Sequence, residues 1–325
     1  MTPPRWLTHS SKPATLTKRD EVITVSDGHQ IPVRIYTPSG EGPFPIILYY
    51  HGGAFLEGFG SIDTHDNVTR TLASQTKSIV ISVGYRLAPT YMFPTAIEDS
   101  YDALLWAAKH AHRLNGDVTR MAVAGDSAGG NIATVVAMMS RDREGPELKA
   151  QVLFYPVTTF LDEPLPSRQQ YANGYYLLSS EVMALARDLY APDHEMWISP
   201  YTSPLHAADL SRLPPAFIIT AEFDPLRDEG EAYAKRLAES GIPVYAVRYQ
   251  GVMHGFISFF EVMYSGKHGL YLSSTFLTQA FADQLEPPSD QLDFIAPSFN
   301  VRDYAEAYAF AAYLLSQKGR YLFQQ

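Results

Sequence analysis

Met121-Ala122-Val123-Ala124 is an apolar run of strand length, and Gly125-Asp126-Ser127-Ala128-Gly129 follows it without a break. Residues 131–139 then read as a helix. No other stretch restricts the architecture as much. A strand that turns at once into a helix needs room for neighbouring backbone. Glycines two places to either side of Ser127 leave that room. The turn is expected to hold Ser127 in a strained conformation with its hydroxyl exposed beyond the strand.

The surrounding chain repeats this rhythm. Apolar or alternating runs at 46–50, 78–84, 120–124, 151–155, 216–221 and 244–249 have strand length. Helices are expected at about 64–76, capped by Asp63 or Thr64, at 95–113 opened by Pro94, and at 227–240 stopped by Gly241. Strands alternating with helices of this length predict an α/β fold, a mostly parallel sheet with helices on both faces. Residues 21–26 and 31–37, joined through Asp27-Gly28, predict an antiparallel hairpin at one edge. The expected catalytic core is 21–156 with 216–285, preceded by an irregular arm over 1–20. Residues 157–215 separate two sheet strands, and this span is rich in Tyr and Leu. It is longer and more apolar than a loop, which predicts a cap. Residues 286–325 read as a linker followed by a helix over 301–317. Its stripe Tyr304, Tyr308, Ala311 and Leu315 would cover the site or form a homodimer contact.

Composition removes several classes. A formal charge of −10 without a Lys/Arg cluster disfavours nucleic acid and anionic membrane partners. The chain has no cysteine, which excludes disulfides, Cys-ligated zinc and thiol catalysis. No run reaches the length of a membrane span, and the first residues lack the apolar core of a secretory signal. The expectation is a soluble, cytoplasmic protein.

An exposed serine hydroxyl does chemistry only with a base to take its proton and a third group to hold that base. After a strand-turn-helix serine these are expected in the order acid, then histidine. His254 lies just past the last core strand between Gly251 and Gly255, in a loop able to present an imidazole. His268 is the weaker alternative, in a polar loop with no strand before it. Asp224 directly follows the 216–221 strand, at the carboxyl end where functional groups of such sheets gather. Glu222 and Asp228 compete with it, and Asp228 is expected in the next helix, pairing with Arg227. Donors for a developing negative charge are expected from the backbone of Gly52, Gly53 and Ala128, since glycines keep side chains out of the way. His51 is read as an anchor for its own loop. Pocket walls are expected from Phe55, Phe59, Met92, Phe256 and the aromatics of 157–215.

His51-Gly52-Gly53-Ala54-Phe55, Tyr85-Arg86-Leu87-Ala88-Pro89, Gly125-Asp126-Ser127-Ala128-Gly129-Gly130, Asp224-Pro225-Leu226-Arg227-Asp228-Glu229 and His254-Gly255-Phe256 stand here in one order. That series resembles the hormone-sensitive-lipase-like esterases, bacterial lipolytic family IV, over residues 20–285. The resemblance implies an α/β-hydrolase fold with an eight-stranded sheet and a cap. It implies hydrolysis of small-molecule esters with short to medium acyl chains, without a cofactor or metal. It casts Ser127 as nucleophile, His254 as base and Asp224 as the acid that orients it. Amide hydrolysis, acyl transfer to an alcohol and a non-catalytic binding module are the alternatives. The chain departs from the family pattern at Ala54, where a Cβ would narrow the approach, and at Thr90, where an ion pair is lost. Its front is short, and about 40 residues follow the last family helix.

Overall fold

The computed structural model describes residues 15–289 and 291–296. Among the described residues nine strands form one sheet. In spatial order they are β1 (Leu16–Thr24), β2 (Gln30–Pro38), β4 (Ile79–Val83), β3 (Phe44–Tyr50), β5 (Gly116–Asp126), β6 (Ala150–Phe154), β7 (Ala216–Phe223), β8 (Val244–Met253) and β9 (Asp293–Ile295). β2 runs against both its neighbours, and every pair from β4 to β9 is parallel.

The central strands are buried on both faces, which is why they read as unbroken apolar runs. In β3, Ile46, Leu48 and Tyr50 face one core, while Ile47 and Tyr49 face the other. Helices α2 (Thr95–Lys109), α4 (Ala128–Asp142) and α8 (Arg227–Glu239) fill the first core. Helices α1 (Asp66–Thr76) and α9 (Tyr264–Phe281) fill the second. Among the described residues no helix is long and apolar enough to cross a membrane.

Residues 157–215 form short pieces rather than one long helix: α5 (Pro166–Gln170), α6 (Ser180–Tyr190), α7 (His194–Trp197) and a 3-10 turn at Pro204–His206. Ser179 caps α6 by accepting a hydrogen bond from Val182 N–H at 3.2 Å.

The fold differs from the sequence reading in five places. Helix α1 starts at Asp66 behind His65, without the side-chain cap expected from Asp63 or Thr64. The sheet has nine strands where eight were expected, because residues 293–295, read as part of a helical extension, pair in parallel with β8. That pairing covers an edge that would otherwise leave a row of backbone donors and acceptors open. Residues 16–20, read as an irregular arm, belong to β1 and pair with β2. The helix expected over 95–113 breaks at His110, and α3 (Ala111–Leu114) follows the break. His268 lies inside α9 and not in a loop. Gly266 and Gly269 suggested a turn, but they serve close packing. A Cβ at Gly266 would lie 2.6 Å from Phe256 O, and one at Gly269 2.6 Å from Ile257 Cδ1. Residues 1–14 of the expected arm and the helix expected over 301–317 lie outside the described residues.

Candidate active site

Five loops leave the carboxyl ends of parallel strands and meet at Ser127. They follow β3, β5, β6, β7 and β8, and carry His51 to Phe55, Ser127, Tyr155, Asp224 and His254. Ser127 sits between β5 and α4 with φ 56° and ψ −118°, a backbone conformation that costs a non-glycine residue energy. Its N–H donates to Phe154 O at 2.9 Å, and its carbonyl accepts from Val157 N–H at 3.2 Å. The glycines around it are there for close approach. A Cβ at Gly125 would lie 2.1 Å from Gly129 O, and one at Gly129 would lie 2.0 Å from Tyr50 O.

His254 Nε2 lies 3.0 Å from Ser127 Oγ, and its Nδ1 lies 2.8 Å from Asp224 Oδ2. Asp224 is fully buried, and its other oxygen accepts from Leu226 N–H at 2.9 Å. A carboxylate can only accept, so Nδ1 carries the ring proton and Nε2 presents its lone pair to the serine hydroxyl. The competing groups are engaged elsewhere. Glu222 accepts from Gly251 N–H at 2.7 Å. Asp228 pairs with Arg227 at 2.8 Å and accepts from Ser167 N–H at 2.8 Å. His268 Nδ1 lies 2.9 Å from Tyr249 Oη.

The loop after β3 corrects one expectation. The N–H of Gly52 is committed to Asp126 Oδ1 at 2.9 Å, so it is not a free donor. The N–H groups of Gly53, Ala54 and Ala128 have no hydrogen bond among the described residues. Close packing demands glycine at both Gly52 and Gly53. A Cβ at Gly52 would lie 2.4 Å from Asp126 Oδ2, and Gly53, at φ 123°, would place one 2.6 Å from Gly60 N. His51 holds the loop by its Nδ1, 2.8 Å from Gly52 O, and by stacking on Tyr85 at 4.4 Å. Burial pushes its imidazole down to about 4, so it stays neutral.

Asp126 anchors a buried network that sequence reasoning missed. Besides Gly52 N–H, it accepts from Tyr49 Oη–H at 2.8 Å and pairs with His65 Nε2 at 3.1 Å. Burial opposes charge on both partners. The Asp126 charge nonetheless holds the His65 imidazole above its usual range, and His65 holds the Asp126 carboxyl below its own. His65 and Tyr49 gave no sequence signal, because they lie far from Asp126 in the chain.

A cavity of about 140 Å³ opens beside Ser127. Ala54, Phe55, Phe160, Leu178, Met183 and Ala186 are among its walls. Phe55 lines it as expected and stacks on Tyr190 at 4.2 Å. The other three expected walls lie elsewhere. Phe59 and Met92 are 56% and 47% exposed. Phe256 is fully buried in the second core against Tyr249. Aromatic identity alone did not separate core, surface and cavity. The cavity-lining stretch before α6 is tied down by Arg168, which reaches fully buried Glu229 at 2.6 Å and donates to Thr159 O at 2.8 Å. Among the described residues no cluster of His, Asp and Glu has the makings of a metal site.

Residues 47–258 match a family described by its alpha/beta hydrolase fold. The chain is 41% identical over 239 residues to an arylesterase of Saccharolobus solfataricus, covering 74% of this chain and 76% of that protein. It is 45% identical over 235 residues to a carboxylesterase of Mycobacterium tuberculosis, covering 70% and 72%. A solved esterase structure from Pyrobaculum calidifontis superposes with a TM-score of 0.78 at 44% identity, over 81% of this chain and 85% of that one.

Proposed function

The chain belongs to the α/β-hydrolase fold family and is a carboxylester hydrolase, and we propose that it works through Ser127, His254 and Asp224 by an acyl-enzyme route. The observation that carries this reading is the line of contacts from Asp224 through His254 to Ser127, at 2.8 and 3.0 Å, beside a cavity. His254 Nε2 takes the Ser127 proton as Oγ attacks the ester carbonyl. The carbonyl π electrons move onto oxygen, and backbone N–H groups of Gly53, Ala54 and Ala128 receive the charge. The tetrahedral species then expels the alcohol, which leaves with the proton held by His254. Water, deprotonated by the same imidazole, attacks the acyl-enzyme and releases the acid. Asp224 keeps the proton of His254 on Nδ1 and stabilises the imidazolium in each half.

The cavity supports a short acyl group. Its volume is about 140 Å³, close to the roughly 150 Å³ of an apolar cavity that accepts benzene. The walls from 157–215 support reading that span as a cap on a core of 21–156 and 216–285.

Turnover of p-nitrophenyl esters of graded chain length tests the proposal, alongside Ser127→Ala and labelling by a fluorophosphonate. Short esters should turn over fastest, and Ser127→Ala should lower kcat by about 10⁴-fold or more and abolish labelling. A Ser127→Ala enzyme with near-parental activity would refute the assignment.

A further inference from the structure

The end of β6 and the three residues after it carry contacts to both members of the Ser127–His254 pair. Phe154 O accepts from Ser127 N–H at 2.9 Å, and Val157 N–H donates to Ser127 O at 3.2 Å. Between them, the ring of Tyr155 meets the imidazole of His254 edge-on, with centroids 4.8 Å apart and planes at 60°. Pro156 presses on the start of α4, where a Cβ at Gly130 would lie 2.9 Å from Pro156 Cβ.

The backbone at Tyr155 is unusual. Its φ is 35°, in the left-handed region that a bulky residue rarely enters. Holding it there costs energy, and glycine or asparagine would pass the chain through the same bend more easily. Its hydroxyl is buried close to Ser258 and the Ile257 backbone without a hydrogen bond of good geometry to either. What the side chain does supply is a rigid ring against His254 and Phe256.

A hydrogen bond at each ring nitrogen of His254 fixes the line between Asp224 and Ser127. Together with the Cβ–Cγ bond these contacts define the working position of the ring, and packing against the ring limits the side-chain rotations that would carry Nε2 away from Ser127 Oγ. We propose that Tyr155 is a positioning residue: its ring holds the imidazole of His254 in the plane that reaches Ser127 Oγ, while its neighbours clamp the peptide of Ser127. The inference rests on the roles given above to Ser127 and His254. One rigid segment therefore sets the distance across which the serine proton moves.

Three variants at position 155 test it, by kcat and KM on p-nitrophenyl butyrate and by the rate of fluorophosphonate inactivation. Tyr155→Phe keeps the ring and should stay within about threefold of the parent in every measure. Tyr155→Gly keeps the bend and loses the ring. It should lose about 10- to 100-fold in kcat and in inactivation rate, with KM within about threefold, as misplacement of a reacting group does. If the glycine variant does not fold by thermal melting, Tyr155→Leu, which keeps the burial without a flat ring, should show the same kcat-specific loss. A folded glycine or leucine variant with parental kcat, or a phenylalanine variant that loses kcat, overturns the inference. Ser127→Ala separates the two claims. Parental activity there defeats the serine assignment, whereas an inactive Ser127→Ala beside a parental Tyr155→Gly defeats only the role of Tyr155.

Discussion

Asp126→Ala and Asp126→Asn should behave very differently. Asp126 receives three buried donors: Tyr49 Oη–H at 2.8 Å, Gly52 N–H at 2.9 Å and His65 Nε2 at 3.1 Å. Alanine leaves all three without a partner. At about 1–3 kcal/mol for each orphaned group, the loss is roughly 3–9 kcal/mol. That is a large share of the ~5–15 kcal/mol that holds a typical domain together. For a chain of this length it corresponds to a fall of roughly 5–13 °C in Tm. Asparagine keeps an oxygen for Tyr49 and Gly52. Its amide can donate to a neutral His65, whose proton then sits on Nδ1, 3.2 Å from Ser61 O. Only the ionic part is lost, about 1–2 kcal/mol.

Both variants should also differ from the parent in how stability depends on pH. In the parent, burial works against both charges, yet His65 is raised above its usual 6.5 and Asp126 is lowered below its usual 3.8. A raised histidine contributes stability that is complete below the unfolded value and disappears as pH rises through the folded one. A lowered carboxylate contributes stability that is present above its unfolded value and lost as pH falls through its folded one. The advantage of the parent over Asp126→Asn should therefore shrink as pH rises above 6.5. Urea unfolding followed by tryptophan fluorescence, from about pH 5 to about pH 9, measures both effects. An alanine variant within about 1 kcal/mol of the parent, or an asparagine variant with the parental pH slope, would defeat the argument.

Two further substitutions probe the site. In Asp224→Asn, the side-chain oxygen should keep Leu226 N–H and turn the amide toward His254 Nδ1, forcing the ring proton onto Nε2. The base is then blocked, and kcat should fall by about 10⁴-fold with KM little changed. A fall of less than about tenfold, measured with p-nitrophenyl butyrate, would sink this account. In the cavity, Ala186→Phe should move the chain-length optimum toward acetate and Met183→Ala toward longer acyl groups. Unchanged kcat/KM profiles in both would mean that the acyl chain lies elsewhere.

The sheet and the meeting of Ser127, Asp224 and His254 were legible because each rests on local pattern. An unbroken apolar run marks a strand buried on both faces, and the residue just past its end is placed by the strand itself. Where a function depends on one atom's partner, the pattern was silent. Gly52 and Gly53 look alike in sequence, yet only Gly52 N–H is taken by Asp126, and that contact spans two strands. Phe55, Phe59 and Phe256 are the same residue in cavity wall, surface and core. Tyr155 followed an apolar strand and read as its last residue. Its left-handed backbone and its contact with His254 exist only once β6 and β8 are in place.

β9 has a consequence for how the chain is made. Asp293 to Ile295 close the β8 edge from a position well downstream, with all of α9 in between. At about 5–20 residues per second, the ribosome takes about 2–8 s to deliver β9 after β8 has emerged. Throughout that interval, the strand that leads to His254 presents an open row of N–H and C=O groups, a template for any other extended chain nearby. The last strand among the described residues is thus a shield that arrives late, and the hazard it ends is greatest while neighbouring ribosomes on the same message carry the same unfinished edge.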